Sequence, residues 1–206
     1  MSETTTKKTG RLIIVSNRLP MTVNMEEGKM TLGPSAGGLV SALGAYLERR
    51  QQDDTELAEY LWVGWPGNDI AEADQPLVRQ HLRDEQGCDP VFLTAEVMDK
   101  FYLGFCNKTV WPLFHYFPTL TVYEEEMWKV YEAVNRQFCR VVAELVQPGD
   151  VIWIHDYHFM LLPAMLRECC PDNSIGFFLH IPFPAYEIFR LLPRKWAASL
   201  VEGLLG

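Results

Sequence analysis

Residues 151–184 read VIWIHDYHFMLLPAMLRECCPDNSIGFFLHIPFP, and the order of apolar runs and stop signals in this stretch decides the fold. Val151 to Ile154 and Ile175 to Leu179 are short, wholly apolar and biased to β-branched and aromatic side chains; they stop at His155-Asp156 and at His180. Between them Met160 to Cys170 has helical composition, with Pro163 tolerated in a first turn and Cys170-Pro171-Asp172-Asn173 as the stop. The reading is a strand, a crossover helix and a second strand. Such crossovers join parallel strands covered on both faces, so both runs are expected to be buried on both sides. Ligands of open parallel sheets sit in the crevice beyond the carboxyl ends of the strands, and both Asp156 and His180 fall at that edge.

Working outward, Glu124-Glu125-Glu126 opens a long helix in which Met127, Val130, Tyr131, Val134, Phe138, Val141 and Leu145 recur at three- and four-residue steps. That spacing predicts one apolar stripe against the sheet, with acidic residues at the positive helix end. Near the start of the chain, RLIIVSNRLP gives Leu12 to Val15 as another buried strand, ending in Ser16-Asn17-Arg18 and stopped by Pro20. Arg18 can aim a planar five-donor fork at an anion in the crevice. A surface arginine paired with a carboxylate is the alternative. Met21 to Leu32 reads as a small hairpin around Glu26-Glu27-Gly28-Lys29. Gly37-Gly38 opens the amphipathic helix LVSALGAYLERR, where bare backbone N–H groups admit a phosphate. A double glycine before a helix is more often an ordinary turn, and neither GxGxxG nor GxxxxGK[ST] is complete. Tyr60 to Gly67 reads as a strand running into a turn, with Trp62 and Trp65 assigned to the core. Asp69 to Gly87 is expected to be helical in part, Val91 to Leu93 a short strand and Ala95 to Phe105 a helix. The rings that follow, up to Tyr116, suit packing or sugar faces.

The composition, 206 residues with 48% apolar and 22% charged, is that of an ordinary globular domain. A net charge of -9 argues against nucleic acid, though a few local arginines suffice for a small phosphorylated ligand. Five cysteines (Cys88, Cys106, Cys139, Cys169, Cys170) without CxxC spacing are read as reduced core thiols of a cytoplasmic protein. Residues 1–10 form a polar tail, expected to be disordered, with no apolar signal-peptide core. No run approaches the ~18 apolar residues of a membrane span. His155, Asp156 and His158 are ligand types at close spacing, but strand alternation turns His155 and Asp156 to opposite sides and no second cluster supports a metal, so neither metal nor cofactor is assigned. The chain contains no GxSxG elbow for a Ser-His-Asp hydrolase. A purely structural role, with His180 a satisfied buried histidine and Asp156 a cap for the following helix, stays open at this point.

The blocks VSNRLP, SAGGLVSAL, LWVGWPG, FCNKTVWPLFHY, VIWIHDYHFMLLPAMLR and IGFFLHIPFPAYEIFRLLP, in this order and spacing, resemble the amino-terminal part of trehalose-6-phosphate synthases. These are retaining glucosyltransferases of two-domain GT-B architecture, and the likeness runs from about Arg11 to Gly206. The resemblance implies an α/β fold: a Rossmann-like parallel sheet flanked by helices, the acceptor-side domain over residues 11–206, incomplete and without the donor-binding second domain. It implies transfer of glucose from UDP-glucose, or another nucleotide glucose, to glucose 6-phosphate with retention. By that resemblance Arg18 holds the acceptor phosphate, Tyr102 and Trp111 line the acceptor pocket, and Asp156 bonds acceptor hydroxyls near the reacting centre. His180 faces the donor glucose, and Gly37 and Gly38 lie against the donor phosphates. A fragment or truncated relative of this kind is expected to be inactive alone. The alternatives are a related synthase acting on another phosphorylated acceptor, such as glycerol 3-phosphate, and a non-catalytic synthase-like module. No nucleic acid or membrane partner is expected, and self-association into a homo-oligomer is left open.

Overall fold

The strand β1 (Leu12–Arg18) is buried from Leu12 through Asn17, as its unbroken apolar run requires. In this computed structural model, which describes residues 10–35, 43 and 59–206, β1 is the middle of a five-stranded parallel sheet. Its companions are β4 (Tyr60–Trp65), β5 (Cys88–Pro90), β6 (Val151–His155) and β7 (Ser174–Phe178), in the order β5-β4-β1-β6-β7. Ile14 pairs with Trp62 on one side and Trp153 on the other. Alternate residues of β1 feed two cores. Ile13 and Val15 join Phe105, Tyr131, Phe138 and Leu166, while Leu12 and Ile14 join Trp62, Val78 and Leu82. A sheet with apolar side chains on both faces must be covered on both, which is the Rossmann-like layering expected from the sequence. The expected hairpin is also present: β2 (Met21–Glu26) and β3 (Lys29–Pro34) pair in antiparallel register around Glu27 and Gly28, both at positive φ as a tight two-residue turn demands.

Three elements differ most from the sequence reading. β7 is an edge strand whose exposure alternates, with Phe178 51% exposed, so it is not covered on both faces. The apolarity of Ile175 to Leu179 shows only that one face is covered. The short strand beside β4 is Cys88–Pro90 and not Val91 to Leu93. Its centre, Asp89, is fully buried and bonded by Arg79 and Arg83 from α1 (Gln75–Gln86), a charged pairing invisible to an apolar pattern. Burial pushes the Asp89 carboxyl up, and the two guanidinium groups only partly offset this. Finally, the helix from Ala95 does not end at Phe105. After α2 (Ala95–Met98) it widens into π-helical winding over Asp99–Val110 and closes as α3 (Trp111–Phe114), with the N–H of Trp111 donating to the carbonyl of Cys106, five residues back. Phe101, Phe105, Val110 and Phe114 are buried at four- and five-residue steps, a spacing that a normal helix would rotate off its face.

The long helix α4 (Glu125–Leu145) begins with its acidic turn as expected, but its buried face is centred one residue along, on Trp128, Tyr131, Val134, Asn135, Phe138, Cys139 and Val142. Met127, Val130, Val141 and Leu145 lie at its half-buried margins. Tyr131 ties this helix to the segment after β6: its hydroxyl donates to the carbonyl of Tyr157 at 3.0 Å and accepts the N–H of Met160 at 2.9 Å. Asn135 adds a bond from Nδ2 to the carbonyl of His158 at 3.1 Å. The crossover helix α5 (Leu162–Cys169) starts later than Met160 because Tyr157–Phe159 forms a 3₁₀ turn, and α6 (Tyr186–Phe189) and α7 (Arg194–Gly203) follow β7. Four cysteines are buried, whereas Cys169, assigned to the core from the sequence, is exposed at the end of α5. No helix among the described residues is long and apolar enough to cross a membrane.

Candidate active site at the carboxyl edge of the sheet

β1 delivers Arg18 to the crevice edge. Ser16 Oγ accepts the indole N–H of Trp62 at 2.7 Å and donates to the carbonyl of Arg18 at 2.7 Å, which pins the strand end. Gly64 makes room for it: a Cβ there would sit 2.9 Å from the Arg18 carbonyl carbon and from the Leu19 nitrogen. The Arg18 guanidinium carbon lies 4.7 Å from the ring centre of Trp65 and 5.7 Å from that of Tyr102, so two aromatic faces orient the fork.

Asp156, directly after β6, has φ 76° and ψ 168°, a region that residues with a Cβ rarely occupy. Three bonds impose this geometry. Its N–H donates to the carbonyl of Phe178 at 2.8 Å, and its Oδ1 accepts the N–H of Tyr157 at 2.9 Å and of His180 at 3.2 Å. The cap reading is therefore correct for the turn at Tyr157 and incomplete, because the same oxygen bridges to the next strand tip. Oδ2 lies 4.0 Å from His158 Nδ1.

His158 is buried between Tyr157, at 4.2 Å and 27°, and Tyr102, at 5.7 Å and 22°. Neither ring nitrogen has a hydrogen-bond partner. Burial pushes its pKa down to about 4, against the pull of Asp156. His155, the last residue of β6, places Nδ1 3.0 Å from Nε2 of His180. Burial, reinforced by His180, lowers the His155 pKa to about 4. His180 itself is exposed, so it is not the buried histidine of the structural reading.

Arg18, Tyr102, Asp156 and His180 thus form one run of contacts, with His158 as the link between Tyr102 and Asp156. Trp111 stands apart: it is 43% exposed and stacks on His115 at 4.1 Å. Gly37 and Gly38 lie outside the described residues. The sequence reading missed Trp65 as a platform for Arg18 and His158 as the link. The two histidines that flank Asp156 in HDYH were the available signal, weighed there only as metal ligands. Among the described residues, no three His, Cys, Asp or Glu side chains converge as a metal site would need.

A parallel sheet flanked by helices that gathers a guanidinium, a carboxylate and an imidazole at one carboxyl edge, without a nucleophile elbow in the sequence, defines a Rossmann-like domain with its candidate site where such folds place ligands. The model of glycosyltransferase family 20 matches residues 10–206, and the chain belongs to that family. It is 46% identical over 198 residues to the UDP-forming alpha,alpha-trehalose-phosphate synthase 1 of Aspergillus fumigatus, covering 94% of this chain and 37% of that protein. Against the UDP-forming synthase A of Dictyostelium discoideum it is 46% identical over 205 residues, covering 99% and 26%. Among solved structures, the Burkholderia xenovorans synthase in complex with glucose-6-phosphate superposes with TM-score 0.69 at 33% identity, covering 95% of this chain and 38% of that one. The N-terminal domain of Candida albicans trehalose-6-phosphate phosphatase gives 0.73 at 30% identity, covering 96% and 38%. These neighbours bear out the fold expected from the sequence. The chain spans between 26% and 37% of the length of the two curated relatives above.

Proposed function

We propose that this chain is the acceptor-side domain of a UDP-forming α,α-trehalose-phosphate synthase, which transfers glucose from UDP-glucose to glucose 6-phosphate with retention. The observation that carries the reading is the run of contacts from Arg18 through Tyr102 and His158 to Asp156 and His180. A phosphorylated sugar needs an anion fork at one end and a hydroxyl acceptor at the other, and the run has both. Arg18 takes the phosphate, Tyr102 the acceptor pocket and Asp156 the acceptor hydroxyls near the reacting centre; Trp111, outside the run, is assigned to the pocket by the family resemblance alone. His180 faces the donor glucose, with Gly37 and Gly38 against the donor phosphates. Asp156 spends Oδ1 on two backbone N–H groups, which leaves Oδ2 for substrate.

In the transfer, the bond from the anomeric carbon to the UDP oxygen breaks, and the bond to the acceptor hydroxyl oxygen forms on the same face. The hydroxyl proton passes to the departing phosphate oxygen. Positioning and charge stabilisation then supply the acceleration without a protein nucleophile.

Calorimetric titration with glucose 6-phosphate tests the acceptor assignment. Arg18→Ala is expected to weaken binding roughly tenfold or more, since a hydrogen bond to a charged group is lost; equal affinity in the variant overturns the phosphate role. Competition with glycerol 3-phosphate separates the sugar-phosphate acceptor from the related-synthase alternative. A second reading, a non-catalytic synthase-like module, is kept because the same fold also occurs as the N-terminal domain of a protein named a trehalose-6-phosphate phosphatase. The presence of Arg18, Asp156 and His180 together supports the enzyme, and a chain that binds neither phosphate would favour the module.

A further inference from the structure

We propose that His155 is a positioning residue: its buried ring fixes His180 in the tautomer that carries the proton on Nδ1, so that the nitrogen His180 leaves unengaged is a hydrogen-bond donor. This deepens the assignment of His180 to the donor sugar and rests on that reading for its purpose.

The two rings lie 28° from parallel, with one contact, 3.0 Å between His155 Nδ1 and His180 Nε2. One proton occupies that contact, and it belongs to one ring or the other. If His155 Nδ1–H donates, its Nε2 is a bare lone pair and His180 keeps its own proton on Nδ1. If His180 Nε2–H donates instead, the His155 proton must move to Nε2. That atom is buried and without a partner, in a residue 1% exposed. A buried N–H without an acceptor is rarer in folded proteins than an under-satisfied acceptor. The Trp153 ring, tilted by 53° at 4.3 Å, offers at best a weak π-face for it. Burial also keeps His155 neutral near pH 7, since its pKa is pushed down to about 4. The first arrangement therefore dominates. His180 then presents Nδ1–H to hydroxyl or phosphate oxygens and has no acceptor to offer.

Long-range ¹H–¹⁵N spectra of the 206-residue chain labelled at histidine read this directly. At pH 7.5, Nδ1 of both His155 and His180 is expected to show the shift of a protonated nitrogen, and Nε2 of both that of a bare one. A His180 protonated on Nε2, or averaging between tautomers, overturns the inference. His155→Phe, which removes the donor, is expected to let His180 average, whereas His155→Asn, whose amide reaches the same position, restores the single form. A His155→Phe variant that retains the wild-type His180 tautomer also overturns it. The wild-type spectrum is decisive even if a variant fails to fold. A titration with UDP-glucose, run on a chain that also carries the donor-binding domain, separates the two claims: correct tautomers with His180 signals that ignore the ligand sink the donor-sugar reading and leave the pairing intact.

Discussion

The N–H of His180 donates to Asp156 Oδ1 at 3.2 Å, and this bond joins the segments that follow the neighbouring strands β6 and β7. Together with the bond from the Asp156 N–H to the Phe178 carbonyl, it makes each strand end a support for the other. The carboxylate is thus structural on one oxygen and open to chemistry on the other.

Asp156 at φ 76° gives the first prediction. Asp156→Ala loses both backbone acceptor bonds and keeps the disfavoured backbone, and is expected to cost about 1–3 kcal/mol. Asp156→Gly loses the same bonds but releases the strain, so it should be less destabilised than Asp156→Ala. Asp156→Asn, which retains an acceptor oxygen, should stay near wild type. Urea unfolding of the three variants checks the order; an alanine variant more stable than the glycine variant would contradict the strain account.

Tyr131 gives a second. Its hydroxyl is fully buried and serves both the Tyr157 carbonyl and the Met160 N–H. Tyr131→Phe keeps the ring and strands those two groups, at an expected cost of about 1–3 kcal/mol each if neither finds water. Faster hydrogen exchange at the Met160 amide, with the amides of α4 unchanged, would mark the loss as local.

The third concerns acid. His155 and His158 titrate near 4 in the folded chain, against about 6.5 for an unfolded histidine. Between those values the unfolded state holds more protons, so stability rises with pH there. The contribution is fully present above about pH 6.5 and is lost as pH falls toward 4, at up to about 1.4 kcal/mol per pH unit for each histidine. Denaturant midpoints recorded from pH 7 to 4.5 should show this slope, and His158→Phe should roughly halve it. A slope unchanged in the variant would remove His158 from the account.

Much of this arrangement was legible in the sequence because parallel strands announce themselves as apolar runs that end in polar residues. Leu12 to Val15 and Val151 to Ile154 obey that rule, with Arg18 and Asp156 among the polar residues at their tips, whereas Tyr60 to Trp65 is marked by the turn Pro66-Gly67 that follows it. β5 was misplaced because its central Asp89 is buried through two arginines contributed by another element, which no local pattern records. The π-wound stretch was cut short at Phe105 because four- and five-residue steps do not fit the helical period used to read it. His158 was undervalued for a related reason. Its importance lies in lying between Tyr102 and Asp156, and Tyr102 comes from a segment more than fifty residues earlier in the chain.

β7 pairs with β6 alone among the described residues, and Ser174–Phe178 contains no lysine, arginine, acid or proline. Those are the residues with which natural proteins discourage strangers from docking on an open backbone. Prepared by itself, this sheet carries a ready template for zippering onto a second molecule. Self-pairing along this edge is expected to set the concentration limit of the chain, and light scattering recorded against concentration checks it.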